Sequence, residues 1–299
     1  MNAPRVGDQF ITWYFLSRGY AVAMPVQRGY AHSWGHLTPH GCDVLAIGND
    51  AAKDIRKVLD DVKDIPGIDA SQIVVAGKSM GGWSTLVFGA QNPADVKGLL
   101  NFAGGVKEGD CGKPDESLIT AAGDLGSRTR LASIWFYGDN DQTFSTATWK
   151  GMYAHYTAAG GRAQLVDYAD FQKDAHAMTA SGAGLPLWIA KAEAFLQSIG
   201  MPGNEVNPEY LPRPEPKASG YASINDFSAV PYLNARQKTA LFASYLAATR
   251  PRAFAIARDG GWGQASGIDS INAALVQCAN GHEECRIYSV DGDVVWAGR

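Results

Sequence analysis

The chain of 299 residues is 46% hydrophobic and 19% charged, with a formal net charge of −4. That composition is ordinary for a globular protein, and the length suits one large domain, or one with a small partner, with ample core. The mild charge gives no electrostatic reason for a nucleic-acid or membrane-surface partner, no apolar run reaches transmembrane length, and the polar start MNAPRVGDQ does not read as a signal peptide.

In chain order, the apolar stripe Phe10, Ile11, Tyr14 and Phe15 predicts a helix over 8–18, stopped at Gly19. YAVAMPV, residues 20–26, reads as a buried strand. Ile47, Ile55, Val58, Leu59 and Val62 share one face of an amphipathic helix over 44–63, which Pro66 and Gly67 end. QIVVA, residues 72–76, is a short β-branched run followed at once by GKSMGG and a helix-compatible segment over 82–90. Three more strand candidates lie at 98–103, 132–137 and 163–168, with helices around 146–159 and 187–199. Strands alternating with helices predict an α/β fold with a mainly parallel sheet covered by helices on both faces.

After Gly200 the texture changes. Residues 201–220 hold five prolines and little periodicity, which reads as an extended linker or strap. Beyond it lie a helix near 235–248, a strand AFAIA at 253–257, a helix near 269–277, and the pair RIYSV…VVW around a turn at Asp291-Gly292. The expected organisation is a domain over 1–200, a linker over 201–220 and a small α+β appendage over 221–299.

Gly77-Lys78-Ser79-Met80-Gly81 fits G-x-S-x-G between a strand and a helix, the context of a nucleophile elbow. Flanking glycines permit the sharp turn that exposes the serine hydroxyl, and the Met80 backbone N–H then faces a developing oxyanion. A serine needs a base, and the base an orienting acid. The strand at 132–137 runs into Gly138-Asp139-Asn140-Asp141, so both aspartates qualify; Asp141 is favoured because residues 138–140 then form the turn that brings it round. The base is His176, in DFQKDAHAM, the histidine that is both downstream of Asp141 and in a loop after a sheet strand. His155 falls inside a helix and His282 in the appendage. His32, His36 and His40 are spaced by four but interrupted by Gly35, Pro39 and Gly41, which argues against a metal-binding helix face. No metal or organic cofactor is required.

The four cysteines sit in loops. CANGHEEC brackets a short polar loop, so Cys278–Cys285 is one expected bridge and Cys42–Cys111 the other, with an oxidising compartment, periplasmic or secreted, as the consequence. Reduced thiols in a cytoplasmic protein are the alternative.

The segment FLSRGYAVAMPVQRGYAHSWG resembles the fourth-strand region of dienelactone-hydrolase-like and prolyl-peptidase-like α/β hydrolases. VVAGKSMGGWSTL resembles their elbow, NFAGG a bacterial subgroup of the dienelactone hydrolases, and WFYGDNDQTF and DAHAM their acid and base loops. The resemblance covers roughly residues 8 to 200. It implies an acyl-enzyme mechanism on esters, lactones or peptides, with a small-molecule ester or short peptide as substrate. The namesake enzymes carry Cys where this chain has Ser79, which points away from dienelactone itself. The resemblance also implies a central strand and HG-type loop ahead of residue 8, source of the second oxyanion N–H. The expectation is then that residues 20–26 and 72–76 flank a missing strand. Either the natural product begins upstream and this form is marginally stable and poorly active, or the appendage strand at 253–257 is recruited, or the oxyanion hole is built differently. The leading expectation is a carboxylic-ester hydrolase. A peptidase or amidase with the same triad, and a non-catalytic binding protein of this fold, are the alternatives.

Overall fold

The computed structural model describes residues 9–29, 33, 35, 36, 38–210, 216–267 and 270–298. It divides into two compact units, Met1–Pro212 and Arg213–Arg299.

In the first unit the described elements run α1 (Gln9–Ser17), α2 (Val44–Val62), β1 (Ile73–Lys78), α3 (Met80–Gly89), β2 (Val96–Phe102), α4 (Pro114–Arg128), β3 (Ala132–Tyr137), α5 (Thr146–Ala158), β4 (Ala163–Asp167) and α6 (Leu185–Ser198). The four strands pair in the order β1-β2-β3-β4, every pair parallel. Parallel strands need crossovers, and the helices between them supply these while burying both sheet faces. Strand alternation assigns the side chains. Leu99, Trp135 and Tyr137 point into a core shared with α2, α3, α4 and α5, whereas Leu100, Phe102, Ile134 and Phe136 point into a second core with α1 and α6. Helix α2 follows its amphipathic period. Asp43 caps it by accepting from the Ala46 N–H at 2.9 Å, and Val44, Ile47, Gly48, Ala51 and Ala52 form its buried face. Helix α3, directly behind the elbow, is buried on nearly every side from Gly82 to Gly89.

Residues 20–26 are not a strand. Apolar character alone does not make one; a strand needs a ladder partner, and β1 pairs with β2 alone among the described residues. Pro25 also lacks an N–H to donate. The segment is largely exposed, with Met24 at 51%, while Tyr20 and Val22 pack on the α1–α6 core and the Tyr20 hydroxyl donates to the Pro202 carbonyl. Nor is the strand near 253–257 recruited, since it is fully paired within the second unit. Part of the proline-rich segment belongs to the first unit: Met201 is buried against α6, and the Val206 and Asn207 N–H groups both donate to the Ser17 carbonyl.

The second unit contains α7 (Ala235–Ala247), β5 (Arg252–Ile256), β6 (Trp262–Ser266), α8 (Ser270–Cys278), β7 (Arg286–Val290) and β8 (Asp293–Val294). Its antiparallel sheet has the order β6-β5-β7-β8, with β5 buried at every residue. Asn234 and Gln237 form a reciprocal capping box at the start of α7. The turn at Asp291-Gly292 joins β7 to β8, with Asp291 at φ 50°, as a tight hairpin of this type requires. Both expected disulfides are present. Cys42–Cys111 ties the start of α2 to the loop before α4 across 69 residues, and Cys278–Cys285 ties the end of α8 to the start of β7.

Candidate active site

Parallel strands place all their carboxyl ends at one edge of the sheet, and the loops leaving β1, β3 and β4 there carry Ser79, Asp141 and His176. Ser79 stands between β1 and α3 with φ 55° and ψ −125°, a left-handed backbone that a residue with a Cβ adopts only under constraint. Its N–H donates to the Phe102 carbonyl at 2.9 Å, and its own carbonyl accepts from Trp83 and Gly105, both at 3.1 Å. The glycines around it are there for close approach. A Cβ on Gly77 would lie 2.2 Å from the Gly81 carbonyl oxygen, and one on Gly82 would lie 2.4 Å from Asn101 Oδ1 and 2.8 Å from Gly104 Cα. Met80 is the first residue of α3, where the helix provides no acceptor for its N–H. That leaves a donor beside the Ser79 hydroxyl at the positive end of the helix dipole.

His176 Nδ1 lies 3.0 Å from Asp141 Oδ2. The Asp141 side chain is fully buried and that of His176 is 17% exposed. The other carboxylate oxygen, Oδ1, accepts from the Thr143 and Phe144 N–H groups at 2.8 and 2.9 Å. With these acceptances a buried carboxylate is satisfied, and it fixes the ring with Nδ1–H towards the acid and Nε2 free to take a proton. Asp139, the alternative acid, instead holds Lys150 at 3.3 Å on the surface. Contiguous packing links the elbow to this pair. Gly105, which donates to the Ser79 carbonyl, fits so closely under Phe144 that a Cβ would lie 2.5 Å from the ring, and that ring's centroid is 5.6 Å from the imidazole's. Phe144 is itself buried, so it screens the acid–base pair from water.

Beneath the site, Asn101 Nδ2 donates to the Tyr137 hydroxyl at 3.1 Å, and that hydroxyl donates to the Gly104 carbonyl at 2.6 Å. Burial pushes the Tyr137 phenol well above its usual range, so it stays a neutral donor. The Tyr168 hydroxyl donates to the Ala175 carbonyl next to His176, and burial, reinforced by the nearby Asp141 charge, raises it likewise. These supports were not legible beforehand. The NFAGG string was a similarity without a mechanism, and Tyr137 and Phe144 look like ordinary core aromatics in sequence.

Two cavities flank the region. A cleft of about 40 Å³ touches Met80 and is walled by Gln27, Arg28, His40 and Glu108. His40 pairs with Asp50 at 2.9 Å, and Glu108 accepts from the His40 and Gly41 N–H groups. His36 is not among its walls, and His32 lies outside the described residues. The larger cavity, about 510 Å³, lies between α2 and α4 and touches none of Ser79, Asp141 and His176. The cleft beside Met80 is likewise not lined by Ser79, Asp141 or His176. Among the described residues no group of histidines, cysteines and carboxylates is placed to hold a metal ion, and no helix is long and apolar enough to cross a membrane.

No family model matches the chain, and no curated protein matches its sequence. Solved structures do. One is a Klebsiella pneumoniae protein described as a dienelactone hydrolase, at 19% identity, covering 51% of this chain and 61% of that one, with a TM-score of 0.40. Another is esterase PE8, at 18% identity over 56% of this chain and 71% of that one, TM-score 0.40. A third is the acylaminoacyl peptidase of Pyrococcus horikoshii, at 16% identity over 53% of this chain and 29% of that one, TM-score 0.40. The chain therefore spans about three fifths of the first of these. The likeness reaches only about half of this chain, and it carries no information on substrate.

Proposed function

We propose that the first unit is a serine hydrolase that cleaves carboxylic esters through an acyl-enzyme on Ser79. The observation that carries the reading is a strained, left-handed serine at a strand-to-helix turn together with a buried Asp141 paired to His176, all in loops at the same edge of one parallel sheet. In this reading His176 Nε2 takes the Ser79 proton as Oγ attacks the acyl carbon. Asp141 holds the ring and stabilises the imidazolium. The Met80 N–H donates to the tetrahedral oxyanion, with the helix α3 dipole behind it. His176 then returns the proton to the leaving alkoxide, and the same groups activate water to release the acid. Phe144 and the buried Asp141 lower the local dielectric on the acid side of the pair, which strengthens its electrostatics.

The two disulfides support an oxidising compartment as the working location. The test is turnover on p-nitrophenyl esters of graded acyl length, set against the matching anilides. The expected result is ester hydrolysis at least ~10³-fold reduced in Ser79→Ala. Preference for the anilides would make the enzyme an amidase, and undiminished hydrolysis by Ser79→Ala would remove the assignment.

A further inference from the structure

The acid loop and the base loop are laced to each other by groups with no place in the proton relay. Asn140 Oδ1 accepts from the Phe171 N–H at 2.9 Å, and Gln142 Nε2 donates to the Lys173 carbonyl at 2.8 Å. One side chain spans both loops at the residues that matter. Asp174 Oδ1 accepts from the Gln142 N–H at 3.0 Å and from the His176 N–H at 2.9 Å. Gln142 directly follows the orienting acid, and His176 is the base itself. A single oxygen thus pins the backbone of one partner to the backbone of the other, and it also caps the short helical turn over Ala175–Ala180 that contains the base.

We infer that Asp174 is a positioning residue: its Oδ1 acts as a hydrogen-bond acceptor that sets the Asp141–His176 distance and so tunes the basicity of His176. The inference rests on the hydrolase reading for its catalytic consequence, but not for its effect on His176. Without the tether, the acid and base loops are free to separate, and a carboxylate held further from an imidazole stabilises its protonated form less. His176 would then titrate at lower pH, and a ring out of line would slow proton transfer. The other ionisable groups around the pair are Asp174, Tyr137 and Tyr168, with Lys107 over the Phe144 ring and Asp167 near Tyr168. Burial keeps both phenols neutral, and the Asn and Ala variants at position 174 leave Lys107 and Asp167 unchanged.

Removing Asp174 also removes a negative charge, an effect separate from the loss of the tether. Asp174→Asn and Asp174→Ala separate the two effects, because Asn loses the charge and keeps a carbonyl oxygen to accept both N–H groups. The measurement is the imidazole titration of His176 by NMR in the full chain, with kcat and KM on a p-nitrophenyl ester over the same pH range. The expected result is that Asp174→Ala lowers kcat ~10- to 100-fold with KM little changed. Its His176 titration and the acid limb of its rate profile move to lower pH than in Asp174→Asn, which recovers most of the loss in kcat. Identical titrations for Ala and Asn would overturn the inference, as would a wild-type kcat in Asp174→Ala. Should Asp174→Ala fail to fold, Asp174→Ser is read in its place, its hydroxyl being too short to serve both N–H groups. A wild-type protein that hydrolyses no ester would defeat the hydrolase reading alone, since the NMR titration still decides the tether.

Discussion

Ser79 shows at the scale of one residue how strain and chemistry are tied. A left-handed backbone costs a residue with a side chain roughly 1–3 kcal/mol, and here the surrounding hydrogen bonds enforce it. Glycine tolerates that conformation, so Ser79→Gly is expected to melt above Ser79→Ala while both are inactive, a comparison that calorimetry makes directly. Asp141→Asn keeps an oxygen for the Thr143 and Phe144 N–H groups but turns an amide towards His176. The expected loss in kcat is ~10²- to 10⁴-fold, measured by steady-state kinetics with folding checked by circular dichroism. Away from the site, Asp50 is held down to about 2, first by the hydrogen bond from Lys53 and then by that from His40. A depressed carboxylate contributes stability that is present above its unfolded value and lost as the pH falls through its folded one. Urea titrations of the wild type and Asp50→Asn should therefore differ above pH ~4 and converge towards pH ~2. A constant difference across that window would show that the pairing contributes nothing.

At the scale of elements, the elbow is a joint between α3, β1 and the NFAGG turn after β2, and it closes only because Gly82 has no side chain. Its added Cβ would meet Asn101 Oδ1 and the Gly104 backbone, neither of which has room to retreat. Gly82→Ala is expected to cost ~1–3 kcal/mol in urea unfolding and to lower activity more than stability, because the displaced backbone carries Ser79. The same elements show what was legible in the sequence. Strand β3 and helix α5 stand within a residue of their expected limits, because one is a continuous run of large apolar residues buried on both faces and the other is bounded by a Ser cap and a glycine pair. Chain order and strand ends suffice to name Asp141 and His176 as candidates, and the structure pairs the two side chains at 3.0 Å. Strand β6 carries no sequence signal, because WGQAS has no β-branched residue and gains its place from pairing with β5. Residues 20–26 were read as a strand on hydrophobicity, but ladder partners are a property of the fold and not of the segment. Asp174 is invisible for the same reason, although an acid two residues before a candidate base is a pattern a sequence can carry.

At the scale of the whole molecule, two units each bring their own sheet, core and disulfide. Cys42–Cys111 closes a long loop that includes the elbow, so replacing both residues by alanine is expected to cost ~2–5 kcal/mol, read from the unfolding midpoint with and without reductant. Reduction should lower the midpoint of the wild type and leave that of the variant where it is, apart from any contribution of Cys278–Cys285. Ser79, Asp141 and His176 all lie within the first unit, so the role proposed for Ser79 can be tested separately from the second unit. The most direct measurement of that claim is intact-mass and peptide mapping after treatment with a fluorophosphonate. The account predicts one adduct, carried on Ser79, absent in Ser79→Ala and formed far more slowly in His176→Ala. An adduct on another residue, or full labelling of Ser79→Ala, would contradict it.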